Sequence, residues 1–180
     1  MNERTIVIFE EPSSTEIVPT HLRLSRPGSY FASGGSGLGW GINAGIGAKL
    51  ARPDAEVVCV VGDGCYLFGV PSSAYWVAST YETPQLTVIY NNGGWHSPKL
   101  STLWVHPEGQ AKRNDTFWVT IGRDAKLASV ASCVGENVAF EVSERAALSP
   151  TLARAMAAVR AGRSAVVDVR IAPISGQKLA

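Results

Sequence analysis

Residues 57–64 read Val57-Val58-Cys59-Val60-Val61-Gly62-Asp63-Gly64, an apolar strand running straight into a glycine-bracketed aspartate. An unbroken apolar run suits a strand covered on both faces, as in a parallel sheet between helices. Glycines let the backbone approach a ligand closely, and N–H groups at a helix start favour a phosphate. Asp63 stands where a carboxylate could hold a hard cation bridging to that phosphate; a plain Asp-Gly turn would account for the same residues. A second run, Leu86-Thr87-Val88-Ile89-Tyr90-Asn91-Asn92-Gly93-Gly94-Trp95, repeats the pattern. Its Asn side-chain oxygen and a turn-exposed carbonyl are good Mg²⁺ ligands, although Asn-Asn-Gly-Gly by itself reads as a turn. The pairing says more than either run. Residues 65–90, 26 in all, separate Gly64 from Asn91, enough for a crossover helix, so adjacent parallel strands would bring Asp63 and Asn92 side by side at one sheet edge.

Outward from these runs, further strands are expected at 5–9, 137–142 and 165–171, with the two central ones at 56–61 and 86–90. Helices are expected at 38–51, stopped by Arg52-Pro53; at 69–81, with Pro71 in the first turn; at 124–133, with Asp124 as cap; and at 151–161, between Ser149-Pro150 and Gly162. Strands alternating with helices imply an α/β three-layer sandwich with a mostly parallel sheet of five to six strands, in one domain over 1–180. The Gly/Ser-rich stretch 26–37 and the aperiodic stretch 91–116 read as long loops, which in compact domains are usually functional.

Composition limits the function classes. The 180 residues carry 16 Lys+Arg against 15 Asp+Glu, a net charge of +1, so there is no basic footprint for nucleic acid. Hydrophobic residues at 46% and charged residues at 17% suit a buried core rather than disorder. No apolar run approaches the roughly 20 residues of a membrane span, and residues 1–11 lack the pattern of a signal peptide. Cys59, Cys65 and Cys133 are odd in number and lack metal-ligand spacing, which suits free thiols in a reducing compartment and a cytoplasmic location.

The ordered set of Gly62-Asp63-Gly64, the spacer and Asn91-Asn92 resembles the signature of thiamine diphosphate-dependent enzymes. The upstream stretch Gly34-Gly35-Ser36-Gly37-Leu38-Gly39-Trp40-Gly41-Ile42-Asn43 resembles their glycine-rich segment beneath the cofactor's aminopyrimidine. The similarity is to the C-terminal, diphosphate-binding domain and covers essentially the whole chain, with acetolactate synthase-like and benzoylformate decarboxylase-like proteins as the subgroup. The resemblance implies the thiamine diphosphate-binding fold, with Mg²⁺ held by Asp63, the Asn92 side chain and the Gly94 carbonyl. It implies a diphosphate lined by the N–H groups of Gly62, Gly64 and Cys65. The Ser36 carbonyl and the Gly37-Leu38 segment would face the aminopyrimidine, and Leu38 would wedge the cofactor into its bent form. Asn43 departs from the pattern, standing where many relatives have Pro.

In such enzymes a Glu from a separate pyrimidine-binding domain activates the cofactor, and none of Glu10, Glu11 or Glu16 has the matching context. The expectation is a split enzyme: a separate pyrimidine-binding-domain subunit supplies the catalytic Glu, in a heterotetramer. A domain excised from a longer protein is the competing account, and the Met1 start favours the split gene. The implied activity is a heteromeric 2-oxo acid decarboxylase or acyloin-forming carboligase acting on a small 2-oxo acid. A sulfopyruvate- or phosphonopyruvate-type decarboxylase subunit is the alternative; it would need extra cations near the site, for which Lys99 is the candidate. A non-catalytic cofactor- or partner-binding module is the remaining one.

His96, Ser97 and Lys99 directly follow the proposed metal loop, and His96 is the candidate proton shuttle; a polar surface or interface loop is the plainer account. His106 reads as loop and His21 as helix surface. Trp76, Trp95, Trp104 and Trp118 read as interface anchors, Cys65 as a packing thiol, and Arg154, Arg160 and Arg163 as a solvated basic face.

Overall fold

A computed structural model describes residues 2–35, 37–122 and 124–172. Six strands form one sheet: β1 (Thr5–Glu10), β2 (Tyr30–Ala32), β3 (Glu56–Gly62), β4 (Leu86–Asn91), β5 (Val138–Val142) and β6 (Ala165–Arg170). Their order is β2-β1-β3-β4-β6-β5 and every neighbouring pair is parallel. Pleating sends alternate residues to opposite faces. Ile6 and Ile8 of β1 join Val57, Cys59 and Val61 of β3 in one core layer, while Val7 and Phe9 join Val58 and Val60 in the other. The first face is covered by α2 (Trp40–Ala51), α3 (Asp63–Phe68), α4 (Pro71–Thr80) and α7 (Ser129–Ser132), the second chiefly by α8 (Arg145–Arg160) and α1 (Val18–His21). The expected α/β sandwich is therefore present, with its apolar strands buried on both sides.

The chain leaves β1 towards the edge strand β2 and then returns past β1 to β3. The strand order thus reverses between β1 and β3, and their carboxyl ends form the crevice where open α/β sheets take ligands. In register, Glu10 pairs with Val61, and Gly62 with Tyr90 of β4. Three strand ends, at Glu10, Gly62 and Asn91, therefore open onto one edge.

Several local expectations change. The stretch 26–37 contains β2, a three-residue strand too short to show alternation. The stretch 91–116 is not aperiodic loop: it holds α5 (His96–Val105) and α6 (Gln110–Arg113). Trp104, Val105 and most of the outer face of α5 stay exposed, so it has little of the apolar stripe on which periodicity depends. The 124–133 helix shrinks to α7, and Asp124 caps nothing. The last helix starts at Arg145 and runs through Pro150, so that proline is no boundary; Gly162, at φ +87°, does end it.

Candidate functional site

Asp63 sits at the junction of β3 and α3 and is 2% exposed. Its Oδ1 accepts from the Gly64 N–H at 2.7 Å, and its Oδ2 from the N–H groups of Gly93 and Gly94 at 2.8 and 2.9 Å. The carboxylate therefore ties the turn after β4 to the turn after β3. Burial pushes its pKa up to about 6, with the three N–H groups pulling the other way and the charge of Asp168 adding to the rise.

The turn after β4 is fixed from two further sides. Asn91 Oδ1 accepts from the Gly93 N–H, while its Nδ2 donates to both oxygens of Asp168, a fully buried residue of β6. Asn91 thus anchors the turn and leaves Asn92 as the asparagine whose Oδ1, bonded to the Gly94 N–H at 3.1 Å, keeps a lone pair. Across the turn, Trp95 N–H donates to Val119 O and Ile121 N–H to Gly93 O, with Gly94 and Thr120 bridged antiparallel. A Cβ on Gly94 would collide with the Val119 carbonyl, so only glycine admits this strap. A Cβ on Gly64 would collide with the Trp95 indole, which packs edge-on against Phe68 at 5.9 Å.

Glu10 and Glu11, at the end of β1, form the facing wall. Glu10 is 8% exposed, and its carboxylate accepts from the N–H groups of Gly39 at 2.7 Å, Trp40 at 3.3 Å and Gly41 at 2.6 Å. It caps α2, whose own N-cap, Gly39, has no side chain to do so. Burial raises its pKa, opposed by those N–H bonds. This role is not visible in the sequence, because the capped N–H groups lie 29 to 31 residues along the chain from Glu10. Asn43 also gains a purpose: its Nδ2 donates to Gly39 O and Gly69 O, tying the start of α2 to the end of α3.

A cavity of about 250 Å³ opens between Glu10, Glu11, Pro12, Gly37, Leu38 and Cys65. Glu11 Oε1 accepts from the Ser13 N–H, but its buried Oε2 has no partner among the described residues, and neither do the buried Trp95 Nε1 and His96 Nδ1. Leu38 is 39% exposed beside this space. The Cys65 thiol is pushed up to about 12, first by burial and then by the charge of Glu10, so it stays neutral and packs.

The structure thus brings Asp63, Asn92, Gly94, Gly62, Gly64, Cys65, Gly37, Leu38 and His96 to one end of the sheet; Ser36 lies outside the described residues. The orphaned buried polar atoms and the glycine cradle fit a polar ligand here. Asp63 Oδ1, Asn92 Oδ1 and Gly94 O would together give an all-oxygen donor set, the kind Mg²⁺ takes. Among the described residues no three His, Cys, Asp or Glu side chains cluster as a metal site. His106 and His21 are exposed, as are Trp76, Trp104 and Trp118, the last at 91%. Arg154 lies over the Phe140 ring and Arg160 pairs with Glu56.

The strand-order reversal, the buried Asp63-Gly64 turn and the asparagine turn beside it thus share one end of the sheet. Residues 13–169 match the family described as thiamine pyrophosphate enzyme, C-terminal TPP binding domain, and the chain belongs to that family. It is similar to benzoylformate decarboxylase of Pseudomonas aeruginosa, 35% identical over 88 residues, which are 49% of this chain and 16% of that protein. It is also similar to acetolactate synthase isozyme 3 large subunit of Escherichia coli, 29% identical over 147 residues, 81% of this chain and 24% of that protein. The fold matches the thiamine diphosphate-dependent 4-hydroxybenzoylformate decarboxylase of Rhodococcus jostii RHA1 with a TM-score of 0.75 at 24% identity, covering 95% of this chain and 30% of that one. The chain is a thiamine diphosphate-binding domain that spans only about a sixth to a quarter of the length of these curated relatives. No helix among the described residues is long and apolar enough to cross a membrane.

Proposed function

We propose that this chain is the cofactor-binding part of a 2-oxo acid decarboxylase or acyloin-forming carboligase, completed by a separate subunit that carries the pyrimidine-binding domain and its catalytic Glu. The observation behind this reading is the meeting of the Asp63 and Asn92 side-chain oxygens at the Gly94 N–H, at two adjacent strand ends, in a chain of this family. Two such halves on each side would make a heterotetramer, which this reading places in the cytoplasm.

Asp63, Asn92 and the Gly94 carbonyl would hold Mg²⁺, and the N–H groups of Gly62, Gly64 and Cys65 the diphosphate. Gly37, Leu38 and the Ser36 carbonyl would seat the pyrimidine ring. When bound, thiamine diphosphate supplies the carbon nucleophile and electron sink that let a 2-oxo acid lose CO₂. The chain's own part is to orient and to exclude water. Leu38 and Pro12 present apolar surface to the cavity, the Glu10-capped α2 keeps the glycine segment in place, and His96 holds or moves a proton on the substrate side. Both the decarboxylase and the carboligase outcome use these same residues.

The test is to mix the chain with the polypeptide that co-purifies from its native source and supply thiamine diphosphate, Mg²⁺ and a panel of small 2-oxo acids. Release of CO₂ is expected, and Asp63→Ala should reduce it at least 100-fold. A folded pair that retains full turnover in Asp63→Ala, or releases no CO₂ from any acid, would leave the non-catalytic module in front.

A further inference from the structure

At the other end of the sheet, where β1 and β2 begin, a second cavity of about 250 Å³ is lined in part by Glu3, Arg23, Ser25, Arg26 and Ser29. Arg26 is half-buried, and its Nε and Nη2 are enclosed atoms with no hydrogen-bond partner among the described residues. These two nitrogens form the edge of a guanidinium that takes an oxyanion through two parallel hydrogen bonds. Arg52 shows that edge in use, its Nε and Nη2 each donating to one oxygen of Asp54 at 3.1 Å. Arginine stays charged at any ordinary pH, so Arg26 cannot relieve its unmet donors by losing a proton. Its backbone is fixed: the Ser29 N–H and hydroxyl donate to the Arg26 carbonyl at 3.2 and 2.6 Å, and the Val7 N–H of β1 donates to the Ser29 carbonyl at 2.8 Å. Arg23 brings a second guanidinium to the cavity, and the ion pairs among the described residues include neither arginine. Glu3, the acid among these lining residues, is exposed and pairs with neither of them.

We infer that this cavity binds a small oxyanion, a carboxylate or phosphate that presents two oxygens to the Nε–Nη2 edge of Arg26, with Arg23 on its outer side. Enclosed charged donors without acceptors are costly. A turn of the half-buried guanidinium towards the cavity lets an anion there supply both acceptors. Two guanidiniums against one exposed carboxylate set the sign of the ligand. The cavity is smaller than the about 300–1,000 Å³ typical of sites for drug-sized ligands, which suits a group of a few atoms rather than a nucleotide. The site lies at the strand ends opposite Glu10, Gly62 and Asn91, so it needs neither the cofactor nor Mg²⁺ and stands apart from the proposed function.

The test uses the full chain without cofactor. Calorimetric titration with sodium phosphate and with sodium acetate, against sodium chloride at equal ionic strength, separates the two oxyanion classes from general charge screening. At least one of them should bind tenfold or more tightly than chloride. In Arg26→Met, which keeps an unbranched stem, that affinity should fall at least tenfold. Arg26→Lys, which keeps the charge but not the two-pronged edge, should also bind more weakly than the parent. Thermal unfolding gives a second readout. Without anion, Arg26→Met should melt no lower than the parent, because it removes unmet donors; the bound anion should raise the Tm of the parent and leave that of the variant unchanged. Neither oxyanion binding better than chloride would overturn the inference. So would undiminished binding in folded Arg26→Met, which would place the phosphate elsewhere, as at the Gly62–Gly64 turn. An Arg26→Met chain that melts well below the parent would mean that the fold itself uses the guanidinium, and that result also overturns it.

Discussion

Asp63 carries two duties that oppose each other in charge. It must be anionic to hold a cation, yet burial raises its pKa to about 6. A proton and Mg²⁺ therefore compete for it: below about pH 6 the protonated fraction grows, and apparent Mg²⁺ affinity should fall roughly tenfold per pH unit, with a plateau above. Calorimetry at pH 5, 6 and 7.5 reads this directly; an affinity flat across that range would remove Asp63 from the metal set. Glu10 presents the complementary case, an acid used for structure. Each of its oxygens faces backbone N–H groups, so Glu10→Gln would turn an NH₂ towards one of them. The expected cost is about 1–3 kcal/mol, seen as a lower urea midpoint at unchanged slope. The sequence made Asp63 legible, because an aspartate between glycines at the end of an apolar run is unusual. Glu10 was not legible as a cap, since its partners lie 29 to 31 residues away and only the folded sheet brings them together.

Among elements, the strap formed by 119–121 matters most to the proposed metal turn, and no local pattern announces it. It pairs with Gly93–Trp95 through two backbone hydrogen bonds and one bridge, too few residues for alternation to show. Gly94→Ala would drive a methyl into the Val119 carbonyl. The turn must then open, and Mg²⁺-dependent cofactor affinity should fall at least tenfold while the fold, by circular dichroism, is kept. Retained affinity would show that the strap does not set the Gly94 carbonyl. The central strands were readable because they are apolar on both faces; the start of α8 was not, because tertiary packing of Ala155, Ala158 and Val159 overrides the helix-breaking tendency of Pro150. That override has a cost, the missing N–H that would bond to Ala146. Pro150→Ala should therefore raise stability by about 1–3 kcal/mol, measurable by calorimetric unfolding; no gain would mean that the proline ring packs well enough to offset the lost bond.

For the whole molecule, the sheet order and its reversal between β1 and β3 place Glu10, Gly62 and Asn91 at one edge, with Leu38 exposed beside them. Motif spacing foretold the Asp63–Asn92 pairing across β3 and β4, but the wall made by Glu10 and Glu11 and the buried face of α5 depend on packing that spacing does not encode. Trp104 and Trp118 remain exposed. In the proposed function Asp63 and the Asn92 turn would hold Mg²⁺ and the cofactor's diphosphate in a site that a second chain completes. Calorimetric titration of thiamine diphosphate, with and without Mg²⁺, into the chain alone and into its complex with the co-purifying polypeptide tests it most directly. Mg²⁺-dependent binding that is tight only in the complex and is abolished by Asp63→Ala is the expected result. Binding that needs no Mg²⁺ and survives Asp63→Ala, or no binding in either form, would contradict it.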